Sequence, residues 1–193
     1  MNKSRIEAFS DGVLAIIITV MVLGLEVPHG DSLADLLPIL PRFLSYVLSF
    51  IYVGIYWNNH HHLFQAVKSV NGPVLWANSH LLFWLSLLPF TSAFAGENHL
   101  SSLPLAIYGF VLFMAAIAYF IVIKALLKIS DQNEALKRAI GNDFKGKISV
   151  VLYAFSILFS FWIPWLAVSG YVFVAIMWLI PDRRIEKVLS KSE

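Results

Sequence analysis

From Phe9 to Val27 the sequence reads FSDGVLAIIITVMVLGLEV, and before Glu26 its only polar side chains are Ser10, Asp11 and Thr19. These 19 residues are close to the ~20 apolar residues a helix needs to cross the hydrocarbon core of a bilayer. The stretch ends at Pro28, with Gly30 and Asp31 beyond it. It reads as a membrane-spanning helix, and the question is how many more follow.

The composition supplies several. Of 193 residues, 59% are hydrophobic and 13% charged, with a mean hydropathy of +0.74. A soluble domain has roughly 45–50% apolar and about 25% charged residues. Uninterrupted apolar runs fall at about 9–27, 43–67, 74–95, 103–127, 148–164 and 167–181. The expected architecture is therefore an all-α integral membrane protein of six transmembrane helices, forming one domain over residues 1–193. Between the fourth and fifth runs, Lys128 to Lys147 is polar, and Asp131 to Ile140 suits a short surface helix. The 33 residues from Ile148 to Ile180 are too long for one span. Pro164, with Ser169 and Gly170 soon after, places a tight turn between two short ones, the second having room to continue past Pro181.

Several classes are excluded at this level. So apolar a chain leaves no room for a separate soluble catalytic domain, and neither H-E-x-x-H nor G-x-S-x-G occurs. The chain does not read as an enzyme and calls for no cofactor. Without cysteine it has no disulfide, thiolate or Cys-ligated metal chemistry. A net charge of +2 is too small to point to nucleic acid. Lys3 and Arg5 ahead of an apolar run also suit a secretory signal. However, Asp11 interrupts the run and Leu23-Gly24-Leu25-Glu26 lacks the small-residue cleavage pattern, so the first helix is retained.

Six spans put 13 of the 14 Lys and Arg residues on one side and only Arg42 on the other. Because Lys and Arg accumulate in cytoplasmic loops, both termini are expected in the cytoplasm of a multi-pass cell-membrane protein. The opposite loops carry Glu26, Asp31, Asp35 and Glu97.

Helix one differs from the others. The chain has 28 aromatic residues, six Trp, seven Tyr and fifteen Phe, and none lies between Ser10 and Val27. At 100° per residue, Gly12, Ile16, Thr19, Leu23 and Glu26 share a wedge of about 80°, with Val20 about 40° outside it. Such a stripe from several subunits would make a narrow apolar pore with Glu26 at its outer mouth. The same stripe would equally serve as a helix-packing face.

Asp11, at membrane depth, needs a partner. The run Trp57-Asn58-Asn59-His60-His61-His62 lies at the same depth, so a pairing between Asp11 and a histidine is expected; Asn78-Ser79-His80 forms another polar cluster. Three consecutive histidines on a helix point about 100° apart and do not converge on one metal ion. There is no T-V-G-Y-G carbonyl filter and no ladder of arginines. A channel built this way would select with side chains.

Residues Arg5, Phe9, Ser10 and Asp11 set out an R-x-x-x-F-S-D pattern at the start of helix one. In this it resembles the transmembrane protein 175 family of potassium channels, in its bacterial single-repeat form. The resemblance implies a homotetramer in the lipid bilayer that passes K⁺ through a pore lined by the first helix. It places the constriction on Ile16, with Val20 and Leu23 further outward and Thr19 as a hydroxyl ring. It also implies a network of Arg5, Phe9, Ser10 and Asp11 with Trp57 and one of His60, His61 and His62. The alternative is a proton-conducting or proton-coupled transporter using Asp11, Glu26 and the histidines. A third possibility is a non-transporting membrane assembly.

Overall fold

Prolines and glycines cut this apolar chain into helices. The computed structural model describes residues 2–67, 69–129 and 143–179. Helix α1 (Ser4–Leu23) stops at Gly24, whose N–H returns to the Val20 carbonyl, rather than running on to Val27. A short α2 (Leu33–Leu36) and a 3₁₀ turn (Leu37–Ile39) lead into α3 (Leu40–Gln65), with Pro41 in its first turn, where no N–H is needed. The side chain of Asn71 caps α4 (Gly72–Ser86) by accepting from Val74 N at 3.2 Å.

The apolar run expected at 74–95 is two helices. Pro89 has no N–H, and its ring crowds the carbonyl four residues back. The helix breaks at Leu87, and α5 (Leu88–Glu97) begins there. After α6 (Ser102–Leu127) come α7 (Phe144–Phe159) and α8 (Pro164–Leu179). The turn between these last two lies at residues 160–163, and Pro164 opens α8. Ser169 and Gly170, expected in that turn, are inside α8, where the Ser156 side chain fills the space beside Gly170. The expected surface helix at 131–140 and the tail from residue 180 lie outside the described residues.

Among the described residues, four segments are long and apolar enough to cross a membrane: Ser4–Leu23, Leu33–Gln65, Gly72–Glu97 and Ser102–Leu127. Helices α7 and α8 have 16 residues each, shorter than that length.

Helix α6 is the centre of the packing. Leu112, Ala115, Ala118, Val122 and Leu126 are fully buried in it, and α4, α5, α7 and α8 all lie against it. Helix α1 rests on α3, α4 and α5 at the side of this group, and α7 pairs with α8. Tyrosines cross the interior as polar bolts. Tyr52 Oη donates to the Tyr171 carbonyl at 2.6 Å, Tyr171 Oη to the Leu105 carbonyl at 3.1 Å, and Tyr119 Oη to the Asn59 carbonyl at 3.1 Å. Each satisfies a hydroxyl that burial would otherwise leave stranded.

The bundle has two chemically different ends. At one, Lys3 Nζ donates to the carbonyls of Phe64 and Gln65, the C-terminus of α3, where a cation complements the helix dipole. Lys145 Nζ reaches the Met177 carbonyl at 3.3 Å at this same end. At the other, Arg42 pairs with Glu26 at 3.1 Å and Glu97 at 2.8 Å, clasping the segment after α1 to the start of α3 and the end of α5. Gly96 allows this clasp, since a Cβ there would sit 2.6 Å from Arg42 Cα.

Gly109 on α6 is another tight joint, because a Cβ would collide with the Tyr171 hydroxyl. Gly109→Ala is expected to lose about 1–3 kcal/mol through overpacking. Thermal unfolding in detergent checks this.

Candidate functional site

Helix α1 divides cleanly by face. Ile6, Ser10, Leu14, Ile17 and Met21 are buried against the rest of the subunit. Gly12, Ile16, Thr19 and Leu23 lie on the opposite side, with Ile16 63% and Leu23 77% exposed, and a Cβ on Gly12 would meet nothing within 4 Å. Thr19 Oγ1 donates to the Ala15 carbonyl at 2.9 Å, so its hydroxyl is turned onto its own helix. Val20, 48% exposed, edges a groove of about 590 Å³ between α1 and α5 that Ile16 also borders. The face is thus an exposed row, with β-branched Ile16 and Thr19 stiff at χ1 and no hydrogen bond to another helix among the described residues.

Glu26 does not belong to this row. The wedge that contained it assumed helix as far as Val27, whereas α1 ends at Leu23 and Glu26 lies in the irregular segment beyond, paired with Arg42. At this end Glu26 and Glu97 share the Arg42 guanidinium, so Glu26 is an ion-paired carboxylate beyond the helix and not a free one on it.

The buried face of α1 is held by polar groups. Ser10 is fully buried, and its hydroxyl donates to the Ile6 carbonyl at 2.8 Å. Asn78 Nδ2 on α4 donates to Ser10 Oγ at 2.9 Å, which turns the Asn78 carbonyl oxygen toward His60 Nε2 on α3, 2.8 Å away. That hydrogen-bond pattern assigns the His60 proton to Nε2. The His60 ring stacks on Phe64 at 4.3 Å, fixing its plane. One residue along α1, Asp11 Oδ1 accepts from Trp57 Nε1 at 3.0 Å, and His61 stacks on the Trp57 ring at 6.1 Å.

The expected residues are therefore only partly brought together. Ser10, Asp11, Trp57, His60 and His61 gather where α1, α3 and α4 meet. The expected pairing of Asp11 with a histidine is not formed: Asp11 takes Trp57, and the histidine reaches α1 through Asn78 to Ser10. Arg5 and Phe9 stand apart from this network, exposed on the opposite side of α1, Phe9 by 60%. His62 has a buried Nδ1 without a hydrogen-bond partner among the described residues. The central member, Asn78, was visible in the sequence only as one residue of a polar cluster in an apolar helix. The signal was its carboxamide, which cannot be buried without partners.

Comparison with known proteins identifies the family. The family model described as endosomal/lysosomal potassium channel TMEM175 matches residues 5–89, which span α1 to the start of α5. A protein of Chryseobacterium sp. (strain P1-3) named as a potassium channel is 57% identical over 192 residues, covering the whole of both chains. The chain belongs to the TMEM175 family. A crystal structure of a lysosomal potassium-selective TMEM175 homolog from Chamaesiphon minutus superposes with a TM-score of 0.81 at 28% identity, over 93% of this chain and 97% of that one. The mouse endosomal/lysosomal proton channel TMEM175 is 32% identical over 170 residues, but this chain spans only 33% of its length. These TMEM175 relatives are ion channels, and the all-helical architecture is shared with a solved member.

Removing the central carboxamide should cost stability. In Asn78→Ala the His60 N–H is left buried without an acceptor, an expected loss of about 1–3 kcal/mol. Trp57→Phe removes an exposed bond and should cost less. Unfolding followed by tryptophan fluorescence is confounded for Trp57→Phe, so calorimetry in detergent is the comparison to make.

Proposed function

We propose that this chain is a potassium-selective cation channel: a homotetramer in the cell membrane, with six spans per subunit, both termini cytoplasmic, and α1 of each copy lining a central pore. The observation that carries this reading is the unpartnered row Gly12, Ile16, Thr19 and Leu23 on a helix whose other face is anchored. A pore of four such helices supplies the missing neighbours. Helices α7 and α8, about 24 Å long each, cross with the help of their flanking turns.

In this pore Ile16 forms the constriction, Leu23 lies further outward, Val20 lies at the flank, and the Thr19 hydroxyl is available only after leaving Ala15. An apolar ring offers an ion no replacement for its hydration shell. The ion that sheds water more cheaply passes more readily, which favours K⁺ over Na⁺. Selectivity thus comes from side chains. The clasped cluster at Glu26, Arg42 and Glu97 leaves net negative charge near the outer mouth, which raises local cation concentration. The contacts of Ser10, Asp11, Trp57, His60 and His61 act by holding α1 in rotational register, while Arg5 and Phe9, exposed and without a hydrogen bond, ion pair or ring contact among the described residues, are placed to meet a neighbouring copy.

A second reading, proton conduction or proton-coupled transport through Asp11, Glu26 and the histidines, is favoured by one observation: the mouse relative is named a proton channel. Flux in liposomes separates the two. Under a K⁺ gradient the purified chain should set a reversal potential close to that of K⁺, and a pH gradient alone should drive little current. Ile16→Ala should raise K⁺ flux several-fold and reduce discrimination against Na⁺. Absence of current, or indifference to Ile16, would overturn the channel reading.

A further inference from the structure

Helix α7 packs directly on α6, whereas α3 meets α6 through side chains, Tyr56 against the Tyr119 ring and the Asn59 carbonyl bonded by Tyr119 Oη, and α3 and α7 make little backbone contact with each other. The gap between them is a crevice of about 310 Å³, at the small end of the range for ligand sites. Ala116, Ile117 and Phe120 of α6 form its floor, and Tyr56 of α3 and Tyr153 of α7 its walls. It opens toward the basic end of the bundle beside Asp143 and Lys147. The Asp143 carboxylate is already engaged, since it caps α7 by accepting from Gly146 N at 3.2 Å. Lys147 is exposed and makes no ion pair among the described residues. Asp143 keeps its negative charge in that role, but Lys147 and Lys124, the latter over the Phe120 ring of the lining, outweigh it, so the mouth is net positive.

The surroundings give the depth of that mouth. Lys124 Nζ lies 4.4 Å from the centre of the Phe120 ring, and Lys145 Nζ 5.9 Å from that of Trp178. Lysines riding over aromatic rings at one end of an apolar bundle mark the membrane–water interface, where phospholipid phosphates sit. From there the crevice runs inward to hydrocarbon depth. It is too apolar to hold water stably. It is also too small for a helix of a second copy, which needs a diameter of ~10 Å. An extended hydrocarbon chain with an anionic head meets both constraints.

We propose that the crevice between α3 and α7 binds one acyl chain of an anionic phospholipid whose phosphate pairs with Lys147. This rests on the chain spanning a bilayer and is independent of ion permeation.

The test is to reconstitute the full chain in phosphatidylcholine vesicles carrying a trace of phosphatidylglycerol with a photoreactive group in its acyl chain, and to map the labelled peptides by mass spectrometry. Label should concentrate on residues 116–120 and 147–153. Unlabelled phosphatidylglycerol should compete for it better than added phosphatidylcholine. Lys147→Gln should reduce that preference about fivefold, the loss expected for one interfacial lysine. Ala116→Phe, which fills the floor, should remove the label; if that variant does not fold, the competition and Lys147→Gln decide alone. Label spread evenly over the outer helices, equal competition by both lipids, or labelling unchanged in a folded Ala116→Phe variant would each overturn the site. Ion flux recorded from the same vesicles keeps a failure here separate from a failure of the channel reading.

Discussion

The hydrogen bond from Asn78 to Ser10 is the constraint on which the orientation of α1 depends. Helix α1 is apolar nearly all round, and in a bilayer lipid tails are as apolar as its own leucines and isoleucines. Hydrophobicity therefore gives no preferred rotation about the helix axis. A buried polar tie does. Ser10 Oγ can meet the Asn78 carboxamide in one rotational setting, and that setting turns Ile6, Leu14, Ile17 and Met21 inward with it. Rotating the helix by one residue, about 100°, would strand Asn78 and His60 together. The exposed position of Ile16 is a consequence of what Ser10 does two turns away.

This explains which features were legible in the sequence. Segment existence was, because ~20-residue apolar runs have a single plausible outcome in a membrane. The two faces of α1 were legible too, since a period of 3.6 needs only the sequence to compute. What periodicity could not supply was the helix end. The wedge including Glu26 is sound arithmetic on a helix that stops at Leu23. Nor could it supply partners. Asp11 was expected to pair with a histidine and takes Trp57 instead, because the partner depends on how α3 rotates against α1, a tertiary matter. The break at Leu87 was encoded by Pro89, yet an apolar run passes over a proline without changing its hydropathy.

The two ends of the bundle are built on different chemistry. At the acidic end one guanidinium, mostly covered, joins three segments. Its partners remain half exposed or more, where ion pairs are individually weak. Its value is geometric: it ties the irregular segment after α1 to the starts and ends of helices already fixed by packing. At the basic end lysine ammonium groups bind helix carbonyls and aromatic faces, so that positive charge is kept near the interface without burying it.

Holding α1 at its buried face and beyond its outer end leaves its exposed row mechanically separate from its anchors. Among the described residues, no side chain whose polar bond or ion pair anchors the helix lies on the row, and no side chain on the row makes such a bond to another helix. For a pore lined by side chains this separation has a physical use. In the proposed pore, constriction width would depend on the volume of single residues such as Ile16, while alignment would depend on Ser10, Asn78 and Arg42. Size along the row can therefore change without disturbing the frame, and the frame can tilt or rotate as a unit, moving every ring of the row together. Because β-branched residues hold their χ1 angles, such a row would open by displacement of the helix and not by rotation of its side chains.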